Sequence, residues 1–358
     1  MKYSMRDYIE QSYNICLENI ENYDFLTRQL VEIYNNNNPK NIWLIASGSS
    51  YNACFCALPF IKHCIDTNVK VITPFNFSYY TPKYEENDLI LVITQSGFST
   101  NIIEVLKKLK QNGNTTICLT GNVESDIKNF SDIILDYSVG EELVGYVTKG
   151  VTTLCLFLML FAINVSKKIY LLDEIKLAIE VFKEIKDKSY DFIKAHFKEF
   201  SSMLCCYCCG TLNSYGVTLE AALKIGETIH IPSFAYEVEE YIHGPNLQLT
   251  PNYTVLFFDG NDVASERVYQ IYQATKQITE HTFIISSNVK LKNDKKALYI
   301  SKKIMPECSS LIELPLIQLI SYTINECLNS SKQHPLLKEF KKIVSAKTDN
   351  FVNYDEDD

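Results

Sequence analysis

Glu220, Lys224, Glu227 and His243 are the residues whose types and spacing could move a proton. They lie in the stretch 216–246, GVTLEAALKIGETIHIPSFAYEVEEYIHGPN. On a helix, the charged groups at i, i+4 and i+7 share one stripe. Leu219, Ala222 and Leu223 supply a separate apolar face. The helix is expected to end near Ile231-Pro232, because the residue before proline is biased away from the α region. His243-Gly244-Pro245 then reads as a turn carrying an imidazole. Two carboxylates, a lysine and a histidine in one short unit are the equipment of general acid–base chemistry near neutral pH. The competing reading is a solvated helix face with an ion pair, followed by a loop histidine, since surface pairs of this kind are common and weak.

A second set of polar residues sits where strands run into helices. Ile42-Trp43-Leu44-Ile45-Ala46 is an apolar run suited to a buried parallel strand. It leads into Ser47-Gly48-Ser49-Ser50 and a helical pattern from Tyr51 to about Ile65. Leu89 to Ile93 is another such run, and it leads into Thr94-Gln95-Ser96-Gly97-Phe98-Ser99-Thr100. A helix is expected from Asn101 to Gln111, with Asn101 as N-cap and Glu104 three residues on. Hydroxyls and backbone N–H groups at a helix N-terminus favour a phosphate. Two such turns in one α/β unit point to a phosphate or sugar phosphate rather than to well-capped loops alone. G-x-G-x-x-G and G-x-x-x-x-G-K-[ST] are both absent, so neither a dinucleotide nor a nucleoside triphosphate is supported.

The elements that must position these residues come in two similar sets. Strand-like runs at Val69–Ile72 and Thr115–Leu119 complete the first set. Met203–Cys209, Thr254–Phe258 and His281–Ser286 form the second, with turns at Gly210-Thr211-Leu212-Asn213-Ser214 and Asp259-Gly260-Asn261-Asp262. Gly48 and Gly97 are 49 residues apart, and Gly210 and Gly260 are 50 apart, which suggests an internal duplication. The expected fold is α/β: two tandem doubly wound subdomains, each a parallel sheet flanked by helices, with ligand at the carboxyl ends of the strands. The expected organisation is an N-terminal helical leader (1–38), a first subdomain with the phosphosugar loops (39–168), connecting helices (169–200), a second subdomain with the acid–base residues (201–330) and a lysine-bearing tail (331–358).

Composition narrows the function further. The 358 residues are 46% hydrophobic and 22% charged, and the net charge is −9, with four of the negatives in Asp355 to Asp358. Such a balance does not favour nucleic acid as a partner. The longest apolar run, Val151 to Val165, is short for a bilayer and is expected to be a buried core helix, so no membrane partner is expected. With no secretion signal evident, the twelve cysteines read as reduced thiols and the location as cytoplasmic. Cys205-Cys206-Tyr207-Cys208-Cys209 lacks C-x-x-C spacing, so neither a metal nor another cofactor is expected there.

Taken together, S-G-S-S at 47–50, T-Q-S-G-x-S at 94–99, T-K-G at 148–150, L-E-A-A-L-K-I-G-E at 219–227 and H-G-P at 243–245 resemble the sugar isomerase (SIS) family. The similarity is to the isomerase half of glutamine–fructose-6-phosphate aminotransferase and to its amino-acid 6-phosphate deglycase relatives. It spans nearly the whole chain. The resemblance implies that Ser50, Thr94, Gln95, Ser96 and Ser99 bind the phosphosugar, with Ser47 standing near it. It implies that Glu227 shuttles the proton between sugar C1 and C2 and that Lys224 orients the site. It further implies that His243 helps open the sugar ring, donated from the neighbouring subunit of a homodimer with shared active sites. A C-terminal lysine forms a Schiff base in the synthase; Lys342 is the best match, with Lys338, Lys341 and Lys347 as alternatives. Residue 2 is Lys2 and not the nucleophilic cysteine of the glutaminase half, so the expected substrate is an already aminated sugar phosphate, or a sugar phosphate with free ammonia. The implied activity is that of a deglycase cleaving a fructosamine- or glucosamine-type amino-acid 6-phosphate. The alternatives are an aldose–ketose isomerase, an aminosugar-phosphate deaminase, or a non-catalytic sugar-phosphate-binding regulator.

Overall fold

Continuous apolar runs make strands that must be covered on both faces, and the molecule is built to cover them. In the computed structural model, which describes residues 3–80, 83–143, 145–328 and 336–352, the first half runs α1 (Met5–Glu21), α2 (Tyr23–Asn37), β1 (Asn41–Ile45), α3 (Gly48–Cys64), β2 (Asn68–Ile72), α4 (Pro74–Tyr80), β3 (Leu89–Thr94), α5 (Thr100–Gln111), β4 (Ile117–Thr120) and β5 (Ile133–Asp136). Next come α6 (Lys149–Ser166), α7 (Leu171–Ala195) and α8 (Phe197–Ser201). The second half runs β6 (Cys206–Gly210), α9 (Tyr215–Thr228), β7 (Ser233–Glu237), α10 (Val238–Ile242), β8 (Thr254–Phe258), α11 (Ser265–Lys276), β9 (Thr282–Ser286), β10 (Ala297–Tyr299) and α12 (Ser309–Leu328), followed by α13 (Leu337–Ile343).

Both sheets are five-stranded and parallel. The first has the order β2-β1-β3-β4-β5 and the second, read the same way, β7-β6-β8-β9-β10. The two halves therefore share one topology, 2-1-3-4-5, as the repeated spacing of their turns anticipates. In this order the chain reverses its direction of progress between the first and third strands, so the crevice outside those two carboxyl ends is where ligands bind.

The strands alternate between two packing faces. Ile42 and Leu44 join the central core, while Trp43 and Ile45 pack outward with Phe77 of α4 and with α5. Likewise Cys206 and Cys208 face inward, and Tyr207 and Cys209 face α10 and α11. The central layer holds α1, α3, α6, α7, α9 and α12, and one continuous core runs through it from sheet to sheet. The apolar helix α6 is long and apolar enough to cross a membrane by composition, yet it is buried from Lys149 to Ile163 in this layer. All twelve cysteines are free thiols.

Some elements differ from expectation. The leader is two helices, broken at Asn22. Helix α3 begins at Gly48, inside the S-G-S-S turn, and not at Tyr51. Asn101 is not the N-cap of α5: the cap position is Ser99, and the Asn101 amide instead donates to Ser47 Oγ at 2.9 Å. Strands β5, β7 and β10 were not anticipated, because each lies at a sheet edge and is short or half exposed, so its apolar signal is weak. The acidic segment Asp355–Asp358 lies outside the described residues.

The two halves meet where α3 crosses α9. A Cβ added at Gly216 would stand 2.3 Å from the Cys56 backbone nitrogen and 2.7 Å from its Cα. Alanine in a helix gains about 1 kcal/mol over glycine, but overpacking against a backbone costs about 1–3 kcal/mol or more. Gly216→Ala should therefore lower the urea midpoint with little change in slope. An unchanged or raised midpoint would show that this crossing is looser than the geometry indicates.

Candidate active site

The loops after β1 and β3 occupy neighbouring positions at the carboxyl edge of the first sheet, since β1 and β3 pair directly. Both lead into helices, α3 and α5, that lack a side-chain N-cap hydrogen bond. Their first-turn N–H groups therefore have no side-chain oxygen of their own, and in α5 the Thr100 N–H donates to Ala346 O instead. Ser50 is buried in the first turn of α3. Ser47 Oγ accepts from Asn101, which ties the two helix starts together. Thr94 Oγ1 lies 3.4 Å from Ser99 Oγ and accepts from the Gly97 N–H at 3.3 Å. Gln95 is turned away from the serines: its side-chain amide donates to Glu142.

The charged face of α9 reaches this edge from the other half. Glu220 and Lys224 are fully buried, and Glu227 keeps about a third of its side chain exposed. Lys224 Nζ lies 3.3 Å from Glu220 Oε1, 2.5 Å from Glu227 Oε1 and 3.1 Å from Ser49 Oγ. Glu220 also accepts from Ser49 Oγ at 3.0 Å and from Asn52 Nδ2 at 2.8 Å. Burial alone would pull the Lys224 ammonium down, but the two carboxylates outweigh it and hold its pKa above the usual lysine value. Lys224 is thus a fixed cation. Ser49 and Asn52 were missed in the sequence. Ser49 sits between the chosen Ser47 and Ser50, but its partners lie more than 170 residues away, and no local spacing reports such a contact.

His243 does not join this group within one chain. The Ser233 hydroxyl donates to Ala222 O on α9 at 2.5 Å, so β7 starts beside the second half of that helix. The strand then travels five residues, about 16 Å, before α10 and His243. Parallel topology thus puts His243 at the opposite edge of the second sheet from Glu227. It is exposed there, and its Nδ1–H donates to Glu239 O at 2.7 Å, which leaves Nε2 as the outward-facing nitrogen.

The tail supplies a further group, though not from Lys342. That residue is exposed on α13, where its ammonium pairs with Glu339 at 2.7 Å. The chain instead crosses the serine loop five residues later. Thr348 N donates to Phe98 O, Thr100 N donates to Ala346 O, and Ser99 bridges Lys347 in antiparallel fashion. Lys347 Nζ thereby comes to 2.8 Å from Ser96 Oγ and 3.2 Å from Ser99 Oγ. Desolvation lowers its pKa to about 8. Lys338, Lys341 and Lys342 all lie on the exposed helix α13.

Residues 37–163 match the family model described as SIS domain. The chain carries a SIS domain. Among curated relatives, glutamine–fructose-6-phosphate aminotransferase [isomerizing] of Caldanaerobacter subterraneus subsp. tengcongensis is 28% identical over 253 residues, covering 68% of this chain and 40% of the relative. The chain spans about half or less of the length of the curated relatives it matches. A solved structure from Clostridium difficile 630, provisionally described as a phosphosugar isomerase, superposes with a TM-score of 0.87 at 27% identity, covering 98% of this chain and all of that one. The C-terminal domain of glucosamine-fructose-6-phosphate aminotransferase from Francisella tularensis gives 0.76 at 20% identity over 94% of this chain and 99% of that one, a likeness of fold. The tandem parallel-sheet architecture of this chain is thus that of its structural neighbours.

Removing one member of a buried pair leaves an uncompensated charge and costs about 3–5 kcal/mol, whereas replacing both is often near neutral. Lys224→Met should therefore strongly destabilise the protein in urea unfolding. Adding Glu220→Gln should recover most of the loss. A double variant as unstable as the single one would show that Glu220 is not held by Lys224.

Proposed function

We propose that this SIS protein acts on a phosphosugar by moving a proton between C1 and C2. The substrate we favour is a hexose 6-phosphate bearing an amine, of the fructosamine or glucosamine type, split to hexose 6-phosphate and amino acid. The observation that carries the reading is the contact of Glu227 with Lys224: a part-exposed carboxylate fixed against a buried cation at the edge where two uncapped helix starts and their hydroxyls converge.

In this reading the phosphate lies among Ser96, Ser99 and Thr94, with Ser50 and Ser47 on the facing loop. Charge-assisted hydrogen bonds from hydroxyls and N–H groups hold it. Glu227 removes the proton from C1 of a ketosamine and returns it to C2. The C1–N bond becomes an imine while the C2 carbonyl becomes a hydroxyl. Water then adds to C1 and the amine leaves, so hexose phosphate and amino acid account for all atoms. Lys224 fixes the Glu227 carboxylate. His243 opens the sugar ring from a second copy of the chain, since its own Glu227 lies across the sheet; this makes a homodimer with shared sites part of the proposal.

A second reading rests on Lys347. An amine with a pKa near 8 at a phosphosugar loop is suited to attack a C2 carbonyl, lose water and form an imine. Ammonia displaces the lysine from that imine, and proton transfer from C1 to C2 gives an aminosugar phosphate with Lys347 free. Run in reverse, with water releasing the fructose phosphate, this is an aminosugar-phosphate deaminase, while C1/C2 proton transfer without the lysine adduct is an aldose–ketose isomerase. A non-catalytic regulator would have no use for the Lys224–Glu227 contact.

The test is turnover in deuterated water on fructoselysine 6-phosphate, glucoselysine 6-phosphate, fructose-aspartate 6-phosphate, glucosamine 6-phosphate and fructose 6-phosphate. Amino acid released with deuterium at C1 or C2 establishes the deglycase. Exchange without amine release marks an isomerase, released ammonia a deaminase, and binding without exchange a sensor. Glu227→Gln should abolish turnover while binding persists; near wild-type activity in that variant would remove Glu227 from the mechanism.

Lys347 has its own test. Borohydride trapping at fructose 6-phosphate well below saturation should label it with a rate rising through pH 8, because the rate then reports the free protein, whose amine attacks only when neutral. Label on another lysine, or a rate still climbing at pH 10, would overturn the assignment.

A further inference from the structure

Glu142 lies in the connection from β5 to α6, outside every motif assigned to the site, and its carboxylate gathers four donors. The N–H groups of Thr148 and Lys149 donate to Oε1 at 2.9 and 2.7 Å. The Gly150 N–H donates to Oε2 at 2.9 Å, and the Gln95 side-chain amide donates to the same oxygen. Helix α6 has no side-chain cap from Thr148. Glu142 takes that place from six residues upstream, an anion on the positive end of an 18-residue helix. The T-K-G glycine has a use here. A Cβ at Gly150 would stand 2.4 Å from Gln95 Oε1 and 2.7 Å from Nε2, so only glycine lets the Gln95 amide lie on the helix start. That Oε1 is buried and has no hydrogen-bond partner among the described residues, so the contact with Glu142 alone decides which way the amide faces.

Gln95 is fixed at its other end too. Its carbonyl accepts from Gly121 N at 3.1 Å and from Thr120 Oγ1 at 3.3 Å, both at the end of β4. The next residue is Ser96, whose hydroxyl meets Lys347. We propose that Glu142 is a positioning residue for the serine loop: an internal carboxylate that clamps Gln95 to the first turn of α6 and thereby sets where Ser96 presents its hydroxyl. By filling the α6 N-terminus, the same carboxylate leaves the α3 and α5 starts as the places for a substrate anion. The proposal rests on the phosphosugar reading above.

The experiment measures binding of fructose 6-phosphate and glucosamine 6-phosphate by calorimetry to the full chain and its variants. Glu142→Ala should weaken binding about tenfold or more, and added formate, a free carboxylate, should restore most of it. Formate should not restore Glu142→Ala combined with Gln95→Ala, and that double variant should bind no worse than Gln95→Ala alone, because coupled residues are non-additive. Should Glu142→Ala not fold, Glu142→Gln serves: it keeps the size and one acceptor but turns a donor towards Gln95, and the same tenfold loss is expected. Unchanged affinity in the folded variants, with only the melting temperature lowered, would reduce Glu142 to a helix cap and overturn the proposal. A wild-type chain that binds neither sugar overturns the phosphosugar reading instead. The clamp is then decided by the Gln95 side-chain amide protons in NMR, which should move in Glu142→Gln and stay in place if the two residues do not act on each other.

Discussion

Glu220 and Lys224 stand one turn apart on α9, both entirely removed from water, and the site depends on how that burial is offset. Taking an ion from water into the interior costs several kcal/mol even after relaxation. The pair attraction recovers this only where the remaining donors and acceptors are met. Here Ser49 and Asn52 complete Glu220, and Glu227 and Ser49 complete Lys224. Both serine and asparagine come from α3, in the other half of the chain. The electrostatic need of α9 is therefore satisfied only when the two halves meet in one register. Gly216 permits the same meeting by letting the helix backbones approach. Packing brings α3 and α9 together, and the polar set fixes which residues face each other.

Topology explains what that meeting accomplishes. In a parallel sheet every strand-to-helix loop emerges at the carboxyl edge, and every helix returns to the opposite edge. The serine loops after β1 and β3 therefore lie side by side, and α9 carries Glu227 back to the amino edge of its own sheet. Stacking the halves so that this end of α9 meets the carboxyl edge of the first sheet joins a carboxylate from one copy of the fold to hydroxyls from the other. The same rule sends His243 away from Glu227, because it follows β7 and not α9. Division of labour between two copies of one topology is thus geometric: each supplies what its own edge presents.

Much of this was legible in the sequence, and the boundary of legibility has a physical basis. Helical spacing put Glu220, Lys224 and Glu227 on one stripe, and apolar runs closed by glycine and serine marked β1 and β3. These are signals within a few residues. Ser49 was passed over because its role is defined by residues on α9. Asn101 has the sequence of an N-cap, yet in the structure it reaches Ser47, since a tertiary partner outbids a local one. The half-exposed β7 carries little hydrophobic pattern, and without it the separation of His243 from Glu227 could not be seen. The choice among tail lysines meets the same limit: Lys342 sits in a helical pattern, whereas Lys347 is placed by backbone hydrogen bonds around Phe98 and Thr100 that leave no mark on composition.

The docked tail also shapes the charge across the site. At the α5 start, first-turn N–H groups without a side-chain cap, beyond the Thr100 N–H that Ala346 O takes, two serine hydroxyls and the Lys347 ammonium favour an anion. Among the described residues Lys347 has no carboxylate beside it, and burial lowers its pKa, whereas Lys224 between two carboxylates is raised. Two lysines in one site are thereby tuned in opposite directions by their neighbours. A phosphate bound at the serines would give Lys347 the missing counter-charge and raise its pKa, so ligand and lysine stabilise each other there. Glu227 and the excess negative charge around Lys224 repel the same phosphate. In the proposed reading, an elongated substrate with a dianion at one end and a reacting carbon at the other is oriented by this field before any specific contact forms. In the proposed chemistry this orientation matters more than affinity, because Glu227 must reach C1 and C2 while the phosphate stays at the opposite end.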